Sequence, residues 1–140
     1  MAGIKELWQL LIFKAIRAFI LFLPRKTCLF IGQTLGMIFY YLDKKHRLIA
    51  LSNLRIAFGA ELLASELRRI ARNSFNHFGK ILVDIIKFPS LAEEKKKALI
   101  QVEGEENLEK ALQEDKGVLL FSAHYGNWEI VPHYLSKKGK

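Results

Sequence analysis

Residues 117–129 read GVLLFSAHYGNWE and join an apolar run to a short polar stretch. The run from Val118 to Phe121 follows a glycine, which is typical of a strand buried on both faces of a parallel sheet. Gly126 and Asn127 then supply the backbone freedom and the capping side chain with which a helix can begin. This stretch therefore predicts a buried strand, a turn, and a helix that starts near Asn127.

The residues just before this stretch predict the same order of elements. Residues 99–102 are a short apolar segment before Gly104 and are a candidate strand. Residues 105–114 have the pattern of a polar helix with one apolar side. Strands that alternate with helices are typical of α/β folds with a parallel sheet. We therefore expect an α/β fold for the last third of the chain.

Two apolar segments open the chain. Residues 4–23 are apolar almost all round a helix, and residues 27–42 carry no charge. The first is close to the ~20 residues that span a bilayer, but its two central cations, Lys14 and Arg17, would each cost roughly 2.5–3.5 kcal/mol there. We expect it to lie in the membrane interface or to form a short tilted anchor, and the other readings are a cleaved signal peptide or a buried core.

Glycine spacing marks the second apolar segment. Gly32 and Gly36 stand one helical turn apart, which permits close packing between helices, and we expect this helix to pack on the first or to re-enter the membrane surface. Two further helices are predicted downstream. One ends at Gly59, and the other runs from an N-cap at Ser65 to about Lys87.

The charge of the chain is concentrated in its first part. The 140 residues have a formal net charge of +8 and are 51% hydrophobic, and this high hydrophobic content excludes a disordered tail. The single cysteine excludes an internal disulfide. Residues 1–58 carry +7 of the charge and residues 59–140 carry +1. Positive charge beside apolar segments favours an anionic membrane surface over nucleic acid as the partner. The basic cluster at residues 43–47 predicts that this side faces the cytoplasm.

His124 and Glu129 are the candidate catalytic residues. Five residues on one continuous helix would put them about 140° apart, but a loop His124 can meet Glu129 if the glutamate lies in the first helical turn. Pro132 must then lie near that turn. A histidine paired with a carboxylate is a general-base device. No nucleophile setting accompanies the pair, and His133 is too far along the chain to complete a metal site, so we expect no metal and no cofactor.

The wider sequence resembles the lipid A biosynthesis acyltransferases, which transfer lauroyl and myristoyl chains and belong to the His-x4-Asp/Glu glycerolipid acyltransferase superfamily. The resemblance rests on residues 117–129, on ALSNL at residues 50–54, on RNSF at residues 72–75, and on VEG at residues 102–104 with Asn107 and Leu108. It implies that apolar membrane-associated helices at residues 1–42 precede the N-terminal part of an αβα-sandwich acyltransferase domain at residues 43–140.

The resemblance also implies a reaction and a location. His124 would deprotonate the hydroxyl of a sugar-linked acyl chain, Glu129 would orient His124, and the hydroxyl would attack the thioester of acyl-carrier protein. The acceptor would be a lipid A precursor, and the site of action the cytoplasmic face of the bacterial inner membrane. Family members are longer, so the resemblance implies that the C-terminal half is absent here and that activity is incomplete. The alternative is a non-catalytic membrane-binding fragment with an idle motif.

Overall fold

The structure, a computed structural model, describes residues 3–59, 61–114 and 116–137, and most of these residues lie in α-helices. The helices are α1 (Ile4–Phe22), α2 (Arg25–Leu42), α3 (Lys44–Phe58), α4 (Ala64–Lys87), α5 (Glu93–Leu99), α6 (Glu105–Gln113) and α7 (Ile130–Lys137). They divide into two compact units, Met1–Pro89 with α1 to α4 and Ser90–Lys140 with α5 to α7.

The predicted α/β fold is wrong, because the described residues contain no strand. The apolar segment at residues 99–102 is divided between the end of α5 and an extended connection to α6. The run at residues 118–121 is also irregular, and the side chains of Leu119 and Phe121 are 88% and 92% exposed. A strand is stable only when its backbone groups pair with a neighbouring strand, and no such partner lies in the described ranges.

The prediction of apolar membrane helices at the N-terminus is also wrong. None of the described helices combines the length and the apolar character that a bilayer crossing requires. The principal neighbour of α2 is α4, and not α1 as expected. The buried positions of α2 are Cys28, Gly32, Gly36 and Tyr40, which recur at helical spacing and form one face of the helix.

Local signals account for most of the helix ends. Asp43 caps α3, since its carboxylate accepts hydrogen bonds from the His46 backbone N–H at 3.0 Å and is 2.6 Å from His46 Nδ1. These bonds lower the pKa of Asp43. The predicted helix ends at Gly59 and Lys87 are confirmed. The predicted cap at Ser65 is wrong, because α4 already begins after Leu63, whose N–H donates to the Glu66 carboxylate at 2.9 Å.

Glycine brings α2 and α4 into backbone contact. A Cβ atom added at Gly32 would collide with the carbonyl oxygen of Gly79, and one added at Gly36 would collide with the carbonyl oxygen of Phe75. A Cβ added at Gly79 would meet the backbone of Gly32 in return. The predicted close packing at Gly32 and Gly36 is therefore confirmed, although its partner is α4.

A second long-range contact joins the start of α2 to the end of α4. Arg25 donates from Nε and Nη2 to the two carboxylate oxygens of Asp84, both at 2.8 Å. Asp84 is buried, and its hydrogen bonds and charge raise the pKa of the Arg25 guanidinium. One turn further along α4, Lys87 Nζ donates to the carbonyl oxygen of Leu21 at 2.7 Å, which ties α4 to the end of α1.

Replacing Arg25 with methionine should lower the free energy of unfolding by about 3 kcal/mol, because the buried Asp84 carboxylate loses its bidentate partner. Urea unfolding followed by circular dichroism measures the change. Arg17 is the matched control, since its exposed side chain on α1 forms no ion pair within the described residues, and R17M should stay within about 0.5 kcal/mol of the parent. Equal stability of R25M and R17M would contradict the structural role of the Arg25–Asp84 pair.

Candidate active site

His124 lies at the centre of a tight turn. The Tyr125 N–H donates to the carbonyl oxygen of Ala123 at 2.8 Å, so the chain reverses over three residues with His124 between them. The side chains of His124 and Tyr125 are both exposed. Gly126 follows with a φ of 59°, a left-handed conformation that glycine adopts without strain. The predicted loop position of His124 and the predicted bend at Gly126 are thus confirmed.

Trp128 supports the histidine ring. The ring centroids of His124 and Trp128 are 4.8 Å apart, with an angle of 51° between their planes. The indole is half-buried, whereas the imidazole is exposed. The tryptophan therefore limits the orientations of the imidazole and leaves it open to solvent. Sequence reasoning missed this contact, and the signal that could have found it is an aromatic residue four positions after the histidine.

The turn leads directly into α7. Ile130 N–H donates to the carbonyl oxygen of Asn127 at 3.2 Å, and Val131 N–H donates to that of Trp128 at 3.1 Å. The regular helix begins at Ile130, three residues later than the predicted start at Asn127. Pro132 lies in the first turn of α7, as expected, where its missing N–H costs no helical hydrogen bond.

Glu129 is the residue that immediately precedes α7, and its side chain is exposed. Neither His124 nor Glu129 forms a hydrogen bond or an ion pair with another described residue. The structure therefore places both groups in the segment from the turn to the helix start without joining them. Their pairing and their catalytic roles stay predictions.

His133 does not belong to the turn at His124. It lines a cavity in the unit Ser90–Lys140. This cavity has a volume of about 290 Å³ and is lined by Glu93, Lys96, Lys97, Ile100, Val102, His133 and Tyr134. Lys96 Nζ is 2.9 Å from a Glu93 carboxylate oxygen, and the Tyr134 hydroxyl donates to Glu105 at 2.6 Å. Among the described residues, no group of three His, Cys, Asp or Glu side chains is arranged to hold a metal ion.

A comparison of the whole sequence decides the family. The model of the bacterial lipid A biosynthesis acyltransferases matches residues 4–140, which include the turn at His124, nearly all of the first compact unit and all of the second. The chain belongs to this family. No curated protein and no solved structure gives a significant match.

Family membership confirms the resemblance drawn from residues 117–129 and from the upstream segments. Acyltransferases of this family act in the biosynthesis of lipid A, so the activity to be explained is the transfer of an acyl group. In this acyltransferase, the segment that carries His124 and Glu129 is an exposed turn ahead of a short helix, not the C-terminal edge of a sheet.

Proposed function

We propose that this acyltransferase moves a fatty acyl chain from the thioester of acyl-carrier protein to a hydroxyl of a lipid A precursor. The observation that carries the proposal is the family match over residues 4–140. The exposed imidazole of His124 supports it, because a general base must reach the substrate proton directly. Glu129, which lies five positions later and is also exposed, is the carboxylate closest in sequence.

In the proposed reaction, an imidazole nitrogen of His124 accepts the proton of the acceptor hydroxyl. The hydroxyl oxygen attacks the thioester carbonyl carbon, so that a C–O bond forms and the C–S bond breaks. The thiolate of the carrier protein leaves and takes the proton back from the imidazolium. The products are an ester and a free thiol, and neither a covalent enzyme intermediate nor a redox step is required.

Glu129 is proposed to position His124 and to stabilise the positive charge that develops on its ring. The two side chains are not hydrogen-bonded to each other in the structure. Catalytic hydrogen bonds are often absent or long before substrate binds and shorten in the complex. The proposed role therefore requires substrate binding to bring the Glu129 carboxylate to the ring.

The proposed place of action is the cytoplasmic face of the bacterial inner membrane. Two observations support it: the family acts on a lipid, and residues 1–58 carry +7 of the net charge of +8. A positive surface is attracted to anionic lipid by about 1 kcal/mol per cation near the membrane. Sedimentation with vesicles of phosphatidylglycerol and phosphatidylcholine, at low and high salt, tests this attraction.

A second candidate function is a non-catalytic role in membrane binding with an idle motif. The observation that favours it is the absence of a hydrogen bond between His124 and Glu129, both of which are exposed. Under this alternative the chain binds vesicles but transfers no acyl group. The two candidates differ in one measurable quantity, which is turnover by the chain itself.

The reaction is tested with purified chain, lauroyl- or myristoyl-acyl-carrier protein and a lipid A precursor. We expect mass spectrometry to detect a precursor that has gained one acyl group. Treatment with hydroxylamine should remove that group, because esters are cleaved whereas amides persist. The same acyl group supplied on coenzyme A should react more slowly. Absence of product with both donors would favour the non-catalytic alternative, and a hydroxylamine-resistant product would contradict transfer to oxygen.

A further inference from the structure

A groove rich in arginine lies between the end of α2 and the first half of α4, far along the chain from His124. It has a volume of about 470 Å³ and is lined by Tyr40, Tyr41, Ser65, Arg68, Arg69 and Arg72. We call it the arginine groove. Its volume lies within the range of roughly 300–1,000 Å³ that small-molecule sites occupy. It can therefore hold an anion together with part of the molecule that carries the anion.

No ion pair within the described residues neutralises the positive charge of the arginine groove. Arg68, Arg69 and Arg72 are exposed, and none of them forms a hydrogen bond or an ion pair with another described residue. None of the described residues that line the groove is acidic. Two acids that lie near these residues in sequence are already engaged, since Glu66 accepts from the Leu63 N–H and Asp43 accepts from His46.

The aromatic part of the lining consists of Tyr40 and Tyr41, and several contacts hold it in place. The Tyr40 ring is buried and meets the rings of Phe75 and Tyr41 edge-on, with centroid distances of 5.5 Å and 5.2 Å. Arg47 donates to the carbonyl oxygens of Tyr40 and Tyr41 at 2.8 and 2.9 Å, and its guanidinium lies 5.5 Å from the Tyr40 ring centroid. The lining of the groove thus combines a buried Tyr40 ring, held by these contacts, with the exposed guanidinium groups of the three arginines.

We propose that the arginine groove binds a phosphomonoester. Guanidinium groups donate two parallel hydrogen bonds to a pair of phosphate oxygens, and Arg68 and Arg72 stand one turn apart on the same helix, so both can reach one phosphate. The hydroxyl of Ser65 is a further donor on the groove's lining. A phosphorylated lipid head group and a free phosphate ester share this chemistry. The proposal stands independently of acyl transfer.

Binding is tested with two probes, each containing a phosphomonoester. The soluble probe is glucosamine 1-phosphate, titrated by calorimetry. The membrane probe is a phosphatidylcholine vesicle with phosphatidic acid, compared with a phosphatidylglycerol vesicle of the same surface potential, which carries only phosphodiesters. Binding to the soluble probe identifies a site open to free phosphate esters, and binding to phosphatidic acid vesicles alone identifies a lipid head group as the ligand.

The test variant is R68Q/R72Q, and the matched control is R55Q, which removes a cation from an exposed position of α3 outside the groove. Glutamine has good helix propensity, and unchanged far-ultraviolet circular dichroism checks the fold. We expect R68Q/R72Q to weaken phosphomonoester binding at least about tenfold, and R55Q and H124A to leave it unchanged. Three results would overturn the proposal. They are a weakening in R55Q as large as that in R68Q/R72Q, binding to phosphatidylglycerol vesicles as strong as that to phosphatidic acid vesicles, and no binding of either probe by the parent chain.

Discussion

Replacing His124 with alanine is expected to reduce acyl transfer at least about 100-fold, which is the lower end of what a general base contributes. The reason is that the acceptor hydroxyl then has no group to take its proton while the thioester is attacked. The measurement is the initial rate of acylated lipid A precursor at saturating donor. The loss should appear in kcat, with KM for the precursor little changed, because the imidazole acts on the reacting proton.

His77 provides the matched control for this experiment. Its side chain is exposed on α4 and forms no hydrogen bond within the described residues, so H77A removes a histidine without touching the candidate site. We expect H77A to keep the parent rate. Full activity of H124A would remove His124 from the mechanism. Equal losses in H77A and H124A would indicate a general effect of histidine removal on the fold.

Substitution of Glu129 tests whether this residue positions His124 or takes part in the chemistry itself. E129Q keeps the size of the side chain and removes its charge, so it should lower kcat by less than H124A does. If both groups act in one step, the double variant H124A/E129Q should be no slower than H124A alone. Independent losses that multiply in the double variant would contradict the proposed pairing.

Introducing a methyl group at Gly79 is the second large effect that we expect. G79A should lower the free energy of unfolding by about 3 kcal/mol, at the upper end of the cost of overpacking. Alanine is favoured over glycine inside a helix by only about 1 kcal/mol. The clash dominates because the new Cβ meets the backbone of Gly32, which is not the end of a flexible side chain. The helices α2 and α4 must therefore separate.

Urea unfolding followed by circular dichroism measures this loss, and N73A is the matched control on the same helix. Asn73 is exposed, so alanine there meets no neighbour and should change the stability by no more than about 0.5 kcal/mol. G36A should behave like G79A, since a Cβ at Gly36 would collide with the carbonyl oxygen of Phe75. A G79A variant as stable as N73A would contradict the close approach of α2 and α4.

The local backbone structure of the candidate site was predictable from the sequence, but its side-chain contacts were not. The loop position of His124, the bend at Gly126 and the place of Pro132 follow from residues within a few positions of each other, and all three are confirmed. The ring contact between His124 and Trp128 depends on how the turn is closed. The pairing of His124 with Glu129 stays a prediction, since no hydrogen bond or ion pair joins the two side chains.

The error in fold class has a specific physical origin. The apolar run at residues 118–121 has the composition of a buried strand, but burial and pairing are properties of its neighbours. In the described residues this run lies in irregular chain, with the side chain of Phe121 92% exposed. The composition of a segment indicates that it can form a strand, but a neighbouring strand must be present for it to do so.

The sequence by itself determined the local features of this protein. Helix ends at Asp43 and Gly59 are set by interactions between residues near each other in the chain, and the glycines at positions 32 and 36 make a close approach of another helix possible. The tertiary structure alone decided that α2 packs on α4 and not on α1, and that Arg25 pairs with Asp84, 59 positions away. The physical reason is that an apolar face or a buried charge needs a partner, and only the folded chain specifies which partner is near.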